Sequence, residues 1–439
     1  MNKSGRNLLG ILNDLKRDIP TAAEELEIDE EELTAYVLGK KELPHTLIQK
    51  AAQTWPVNQR DFYVVEDDAP EGVLFMNAEQ SKHSARVFQR GGVDYYEYRD
   101  TAMSRISSFR PEWIRELVIV EDNDPYAKAI SWNNGHFLHQ FTYFIGPVNF
   151  YYDVDGKRHC AEMNTGDSMY ITPYAPHTFA TRKNDKNELG LILAVTYGGK
   201  LIGDGQQELG VLGEELTNEF LLDYTTPQKA AGALLKMHRE NLSLSQEELS
   251  EQADIDYEKI ISYEEGENEP EEHKLYALAD ALCISRRDLL PVDYYKESVV
   301  VLPYAIARRW KNKGYSFVEL ASTPKMPYSK GLELSIDNET PSVLKTALQQ
   351  YVYNIGEKPV TVMWDYEGEH QHLLRPGDSF FMKPFINHSF AGKDGKLLVV
   401  RIGGRLSGDA QHELSMLDRR GQKRVVGENT KWFDEKGKK

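Results

Sequence analysis

A chain of 439 residues has room for two to four structural units, and 40% hydrophobic with 28% charged residues is the balance of a soluble globular protein. A formal charge of −17 disfavours a phosphate-backbone partner, and no run of eighteen apolar residues marks a membrane span. The opening MNKSGRNLLGILNDLK lacks the apolar core of a secretion signal, and two distant cysteines, Cys160 and Cys283, indicate a reducing, cytoplasmic setting without a disulfide framework.

Residues 1–62 read as a small helical domain: NLLGILNDLKRDI has helical spacing, TAAEELEI follows with Thr21 as the expected N-cap, and DEEELTAYVLGKKELP is stopped by Gly39 and Pro44. From 63 to 200 the pattern turns to aromatic, alternating strands with Gly, Asp and Pro turns, as in FYVVED, VDYYEYRD, NFYYDVDG and LILAVTYGG. Residues 201–225 read as a polar connector. A second helical domain follows at 226–292, with Ser243 and Ser245 as capping candidates. Strands return over 293–415, and 416–439 read as a polar tail.

The two halves echo each other. GDSMYITPYAPH and GDSFFMKPFINH both place a histidine eleven residues after the glycine, Gly166 to His177 and Gly377 to His388. EELEIDEEELTAYVLGKKELP likewise echoes EELSEQADIDYEKIISYEEGENEP. The fold expected is α+β: a tandem repeat of a helix-turn-helix-like α domain followed by a β-barrel.

LSLSQEELSEQADIDYEKIISYEEG resembles the helix-turn-helix of phage-repressor-like proteins, which makes a ligand-binding DNA regulator one reading. The recognition-helix segment DYEKIISYEEGENEPEE opposes it, since its carboxylates outnumber its cations and phosphates would repel them. A packing or dimer module is therefore expected, with no nucleic-acid partner.

The chemistry concentrates in NNGHFLHQ and YAPH. His136 and His177 are candidate neutral nitrogen ligands and Gln140 a candidate amide-oxygen ligand for one metal ion, with positions left for substrate and O2. Ligands four apart on a straight strand lie roughly 13 Å from each other, so the NNG before His136 is expected to bend the chain inward. His139 alternates out of phase and should face away, but it stays open as a replacement for either neighbour. In the second half Thr346 and Gln350 align with His136 and Gln140, which leaves His388 without its partner and predicts a metal-free barrel. His370 and His372, in the charged turn EGEHQHLL, read as solvated.

With these residues in view, nearly the full chain resembles the cupin-fold mononuclear iron phosphonate oxygenases. Some members carry a ligand glutamate four residues after the first histidine, others six residues before the second; here those positions hold Gln140 and Ile171. The resemblance implies Fe(II) held by His136, Gln140 and His177 as the catalytic set. It also implies Arg90, Tyr98, Asn133 and Lys16 as phosphonate binders, with Tyr96 a weaker carry-over. Lys16 is expected to reach the site within its own chain or from a partner in a homo-oligomer. The Gln/Ile pair points to the branch that cleaves 2-hydroxyethylphosphonate with O2 to methylphosphonate and CO2, without external reductant. A dioxygenase giving hydroxymethylphosphonate and formate is the alternative.

Overall fold

In the computed structural model, residues 3–432 are described, apart from 108, 200, 202, 292–297, 340–341 and 428–429. The expected boundary at 292 and the last residues of the tail lie outside them.

Each helical unit is closed by its own apolar core. The first comprises Lys3–Asp14, Ile19–Glu25, Glu30–Val37 and His45–Thr54, packed around Leu8, Leu12, Leu26, Leu33, Ile48 and Trp55. The cap of its second helix is Asp18, not Thr21: the Asp18 carboxylate accepts from Thr21 N at 2.9 Å. Asp competes better because Pro20, just inside the helix start, leaves Thr21 N as an early donor needing an acceptor. The second unit runs through Pro227–Asn241, Gln246–Ala253, Tyr257–Glu264 and Glu272–Ala281. There Ser245 forms a capping box with Glu248, whereas Ser243 sits in the left-handed turn before it at φ 56. Arg239 is used internally, its Nε bonded to Glu264 at 2.6 Å.

The strands form two similar double-sheet units. In the first, a seven-stranded sheet runs Val299–Leu302, Ser168–Ile171, His139–Ile145, Leu191–Tyr197, Arg110–Glu116, Val93–Asp100, Arg86–Arg90. It faces a smaller sheet of Ile119–Val120, His177–Arg182, Val148–Val154 and Lys157–Met163. In the second, Val73–Met76, Ser379–Met382, Gln349–Asn354, Lys396–Ile402, Ser329–Ile336, Tyr315–Glu319 and Arg309–Asn312 face three strands between Val360 and Ala391.

Alternate residues of the large sheets serve two cores. Ile192, Ala194, Phe144 and Ile114 point into the first unit, whereas Leu193, Val195, Tyr143 and Trp113 pack on Tyr351, Tyr353, Leu398 and Val400 of the other large sheet. Both faces are buried, which is why LILAVTY and KLLVVRI read as unbroken apolar runs.

The units exchange an edge strand. Val73–Met76, from the start of the first strand block, pairs antiparallel with Ser379–Met382 of the second unit, and Val299–Leu302 pairs with Ser168–Ile171 of the first. The repeated Gly-Asp-Ser segments latch the exchange. Asp167 accepts from its own turn at Asn164 N and from Tyr304 N, both at 2.7 Å, and Asp378 accepts from Arg375 N at 2.7 Å and Ala78 N at 2.8 Å. The serines accept from the opposite half as well, Ala321 N to Ser168 Oγ at 2.8 Å and Ala102 N to Ser379 Oγ at 3.0 Å.

Two segments differ from the sequence reading. The polar connector contains the helix Asp204–Asn218, Asp409–Met416 is a helix at the end of the stretch expected to be strands, and Arg419–Gly427 is a helix in the expected polar tail. None buries a residue, so none is anchored in a core as the helices of the two helical units are.

Candidate metal centre

Gly135 directs the first ligand. Its φ of +71° is left-handed, and a Cβ there would stand 2.5 Å from the Tyr174 backbone, so only glycine lets the two loops touch. The contact is sealed by Tyr174 N donating to His136 O at 2.8 Å. His136 thus lies before the strand rather than on it, and Gln140 is the second residue of His139–Ile145. This is the inward bend expected of NNG: the turn removes the roughly 13 Å spacing of i and i+4. His177 opens its strand in the smaller sheet and faces His136 edge-on, ring centroids 5.1 Å apart.

Each donor is oriented from behind. His136 Nδ1 bonds to Leu138 O at 2.8 Å and His177 Nδ1 to Ala175 O at 2.9 Å, which leaves both Nε2 atoms with lone pairs. Gln140 Nε2 donates to Thr142 Oγ1 at 2.9 Å, turning Oε1 toward His136 Nε2 at 3.1 Å. Two lone pairs meet at that distance only around a cation, a shared proton or a coordinated metal ion. Burial holds the His177 imidazole well below its usual range, down to about 4, so the neutral form a metal requires is the one present at neutral pH. Among the described residues no three His, Cys, Asp or Glu side chains gather as a metal site, and the side-chain oxygen beside His136 Nε2 is that of an amide, Gln140. The residues therefore fit a divalent ion bound by neutral nitrogen and oxygen ligands.

Asn133 adjoins them. Its Oδ1 accepts from Gly135 N at 3.0 Å and His177 N at 2.8 Å, while Nδ2 stands 3.2 Å from His177 Nε2. Arg90 lies over the rings of Tyr96 and Tyr95, 4.7 and 5.4 Å from their centroids, and donates to Ser131 O at 3.2 Å. Both phenols are fixed, Tyr95 accepting from Ser131 N at 3.1 Å and Tyr96 from Phe179 N at 2.9 Å. Tyr96 is therefore a buried support for Arg90. Tyr98 shares its face; burial pushes its phenol up to about 12, partly opposed by Arg90, so it stays a donor at neutral pH.

Lys16 is elsewhere: its ammonium donates to Asp14 O at 2.7 Å and lies 5.1 Å from the Trp432 ring centroid. His139 turns to the opposite face of its strand, stacked between Tyr170 and Tyr197 and hydrogen-bonded to the Tyr170 hydroxyl. His370 and His372 lie on the strand Glu369–Leu374 rather than in a turn; His372 is exposed and stacks on Phe75, while His370 is half-buried against its cross-strand partner Trp364.

Two residues were missed in the sequence. Thr142, the orienter of Gln140, was legible as the next residue on its face. Glu116 had no signal: it is fully buried inside the first double-sheet unit with neither carboxyl oxygen hydrogen-bonded, and burial drives its pKa far up against the pull of Arg90.

A double-sheet interior carrying two histidines, an amide and an arginine shelf belongs with the non-haem iron phosphonate oxygenases. The methylphosphonate synthase of Nitrosopumilus maritimus (strain SCM1) is 47% identical over 442 residues, covering 99% of this chain and 96% of the relative. A Streptomyces albus 2-hydroxyethylphosphonate dioxygenase structure, with 2-hydroxyethylphosphonate and Fe(II) bound, superposes at a TM-score of 0.91 with 38% identity over 98% of each chain. PhpD with cadmium, at a TM-score of 0.76 and 19% identity over 96% of this chain and 99% of that one, shares the fold. A helix-turn-helix domain model matches residues 232–291. The chain belongs to the methylphosphonate synthase family.

Proposed function

We propose that the chain uses Fe(II) and O2 to break the carbon–carbon bond of 2-hydroxyethylphosphonate, yielding methylphosphonate and CO2. The observation that carries this reading is the pairing of Gln140 with Ile171 as direct cross-strand neighbours. The two positions where relatives place a ligand carboxylate thus address one point, and here one is an amide and the other apolar. With three neutral donors the metal keeps its full charge for a dianionic substrate.

Bound Fe(II) supplies chelation of the substrate and activation of O2. The chain supplies the rest. Leu138 O and Ala175 O hold the histidines in the coordinating tautomer, Thr142 fixes the amide, and buried Ile171 keeps water and charge from the fourth side. Arg90 binds the phosphonate through its fork, Tyr98 donates from its phenol, and Asn133 donates from the amide beside His177. Lys16, held over its own chain's Trp432, enters the pocket of a partner copy in a homo-oligomer.

Each double-sheet unit is read as a cupin barrel, and the helical units as packing and lid modules without nucleic-acid binding. Among the described residues no helix is long and apolar enough to cross a membrane, and with two free cysteines a cytoplasmic setting fits.

Purified protein with Fe(II), O2 and 2-hydroxyethylphosphonate is followed by phosphorus NMR. Methylphosphonate with CO2 is expected. Hydroxymethylphosphonate with formate would make the enzyme a dioxygenase despite Gln140 and Ile171, and neither product from iron-loaded protein would reject the oxygenase reading.

A further inference from the structure

The second double-sheet unit holds two cations beside Gln350, the counterpart of the candidate ligand Gln140. Across the first large sheet Arg110, Thr196, Gln140, Ile171 and Val299 form one cross-strand row. The matching row of the second is Lys330, Arg401, Gln350, Met382 and Val73. The rows differ most where neutral Thr196 gives way to Arg401, directly opposite Lys330.

Like charges facing each other across two strands destabilise a sheet unless an anion joins them. Among the described residues no carboxylate does so. The carboxylate on the same face of the adjoining strand, Glu319, is bound by Arg308 at 2.9 Å. Arg401 Nε donates to Gln350 Oε1 at 2.9 Å, and among the described residues its guanidinium makes no other hydrogen bond or ion pair. Lys330 makes none. In the first unit Arg110, the counterpart of Lys330, instead donates to the backbone carbonyls of Ser107 at 3.1 Å and Phe109 at 2.9 Å. Lys330 and Arg401 are both half-buried, open enough for a solute to reach and shielded enough for the charge to be felt.

We infer that Arg401 and Lys330, floored by Gln350 and His388, form an oxyanion-binding site in the second double-sheet unit, suited to a tetrahedral dianion of the phosphate or phosphonate class. A guanidinium fork and an ammonium beside it match two or three oxygens of such an ion. Gln350 and His388 are 1% and 2% exposed, so the floor is fixed before the ion arrives. The site does not depend on the reaction proposed for the first unit.

The test is a calorimetric titration of the full-length, iron-loaded chain carrying Arg90→Ala, which silences the first unit's anchor. Inorganic phosphate, methylphosphonate and acetate are injected in separate runs. One phosphate or methylphosphonate per chain is expected, with affinity falling as salt rises and at least about tenfold weaker in both Lys330→Gln and Arg401→Gln. Whichever of the two dianions binds tighter names the source. No saturable binding would overturn the site, as would binding unchanged by Lys330→Gln, a half-exposed position whose loss leaves the fold intact even if Arg401→Gln does not fold. Acetate binding as tightly as phosphate would overturn the dianion assignment.

Discussion

Thr196 and Arg401 are structural counterparts, each the direct cross-strand partner of a glutamine that faces a histidine. The exchange reverses the amide. Arg401 holds Gln350 Oε1, so Nε2 meets His388 Nε2 at 3.3 Å, whereas Gln140 offers its oxygen to His136. Thr346 stands where His136 stands in the other half, its carbonyl accepting from Phe385 N at 2.7 Å as His136 O accepts from Tyr174 N at 2.8 Å. A built-in guanidinium therefore occupies the amide oxygen that the first unit turns toward its histidine.

One iron per chain is the expected outcome of elemental analysis. His136→Ala and His177→Ala should lose most of it and His388→Ala none. Thr346→His with Arg401→Thr together should raise the count toward two, and neither change alone should. A wild-type count of two would break the argument from Thr346.

Arg90 should control substrate affinity. Losing a charge-assisted contact costs ~1.5–3 kcal/mol, so Arg90→Ala should weaken 2-hydroxyethylphosphonate binding by at least about tenfold. Tyr98→Phe, which removes one donor and keeps the ring, should cost less. Equal affinity in Arg90→Ala would remove that residue from the anchor.

Metal-free protein should lose stability as acid is added. Burial holds His139, His177 and His388 down to about 4, whereas in the unfolded chain they titrate near ~6.5. The unfolded state then binds more protons between those values, so stability is complete above pH ~6.5 and falls toward pH ~4, by on the order of 2 kcal/mol per histidine. Urea unfolding at several pH values should give a shallower slope for His388→Gln. Glu116 runs the other way: its raised pKa favours folding at low pH and loses that contribution as pH rises, so Glu116→Gln should gain relative stability toward pH 8. A Glu116→Gln profile parallel to wild type would show the carboxyl to be paired.

The Gly-Asp-Ser latches should be structural. Ser168→Ala and Ser379→Ala each strand a backbone N–H from the opposite half and should cost about 1–3 kcal/mol in unfolding, with iron content unchanged. Loss of iron without loss of stability would return the motif to the metal site.

The duplication was legible because turn residues and histidine spacing are local: Gly166 to His177 and Gly377 to His388 need no tertiary knowledge. The meeting of His136 with Gln140 was legible for the same reason, since Gly135, His136 and Gln140 lie within six residues. The edge-strand exchange was not. Val73–Met76 carries nothing that distinguishes pairing with its own unit from pairing with the other. Arg401, at the end of an apolar strand, looks like an ordinary terminal cation until the register sets it opposite Lys330. Glu116 escaped because a lone glutamate ending RPEWIRE reads as solvent-facing, and only the packing of Tyr96 and Gly190 around it makes it interior.

The exchanged strands also fix the order in which the protein can be completed during synthesis. Ala78 binds Asp378 across 300 positions and Tyr304 binds Asp167 across 137, so the first double-sheet unit lacks an edge strand until the chain has reached Leu302. Until then Ser168–Ile171 exposes an unpaired, apolar edge to every other nascent chain nearby. A ribosome stalled before residue 299 would hold a half-protein that has His136, Gln140 and His177 and no closed sheet to keep them apart from solvent.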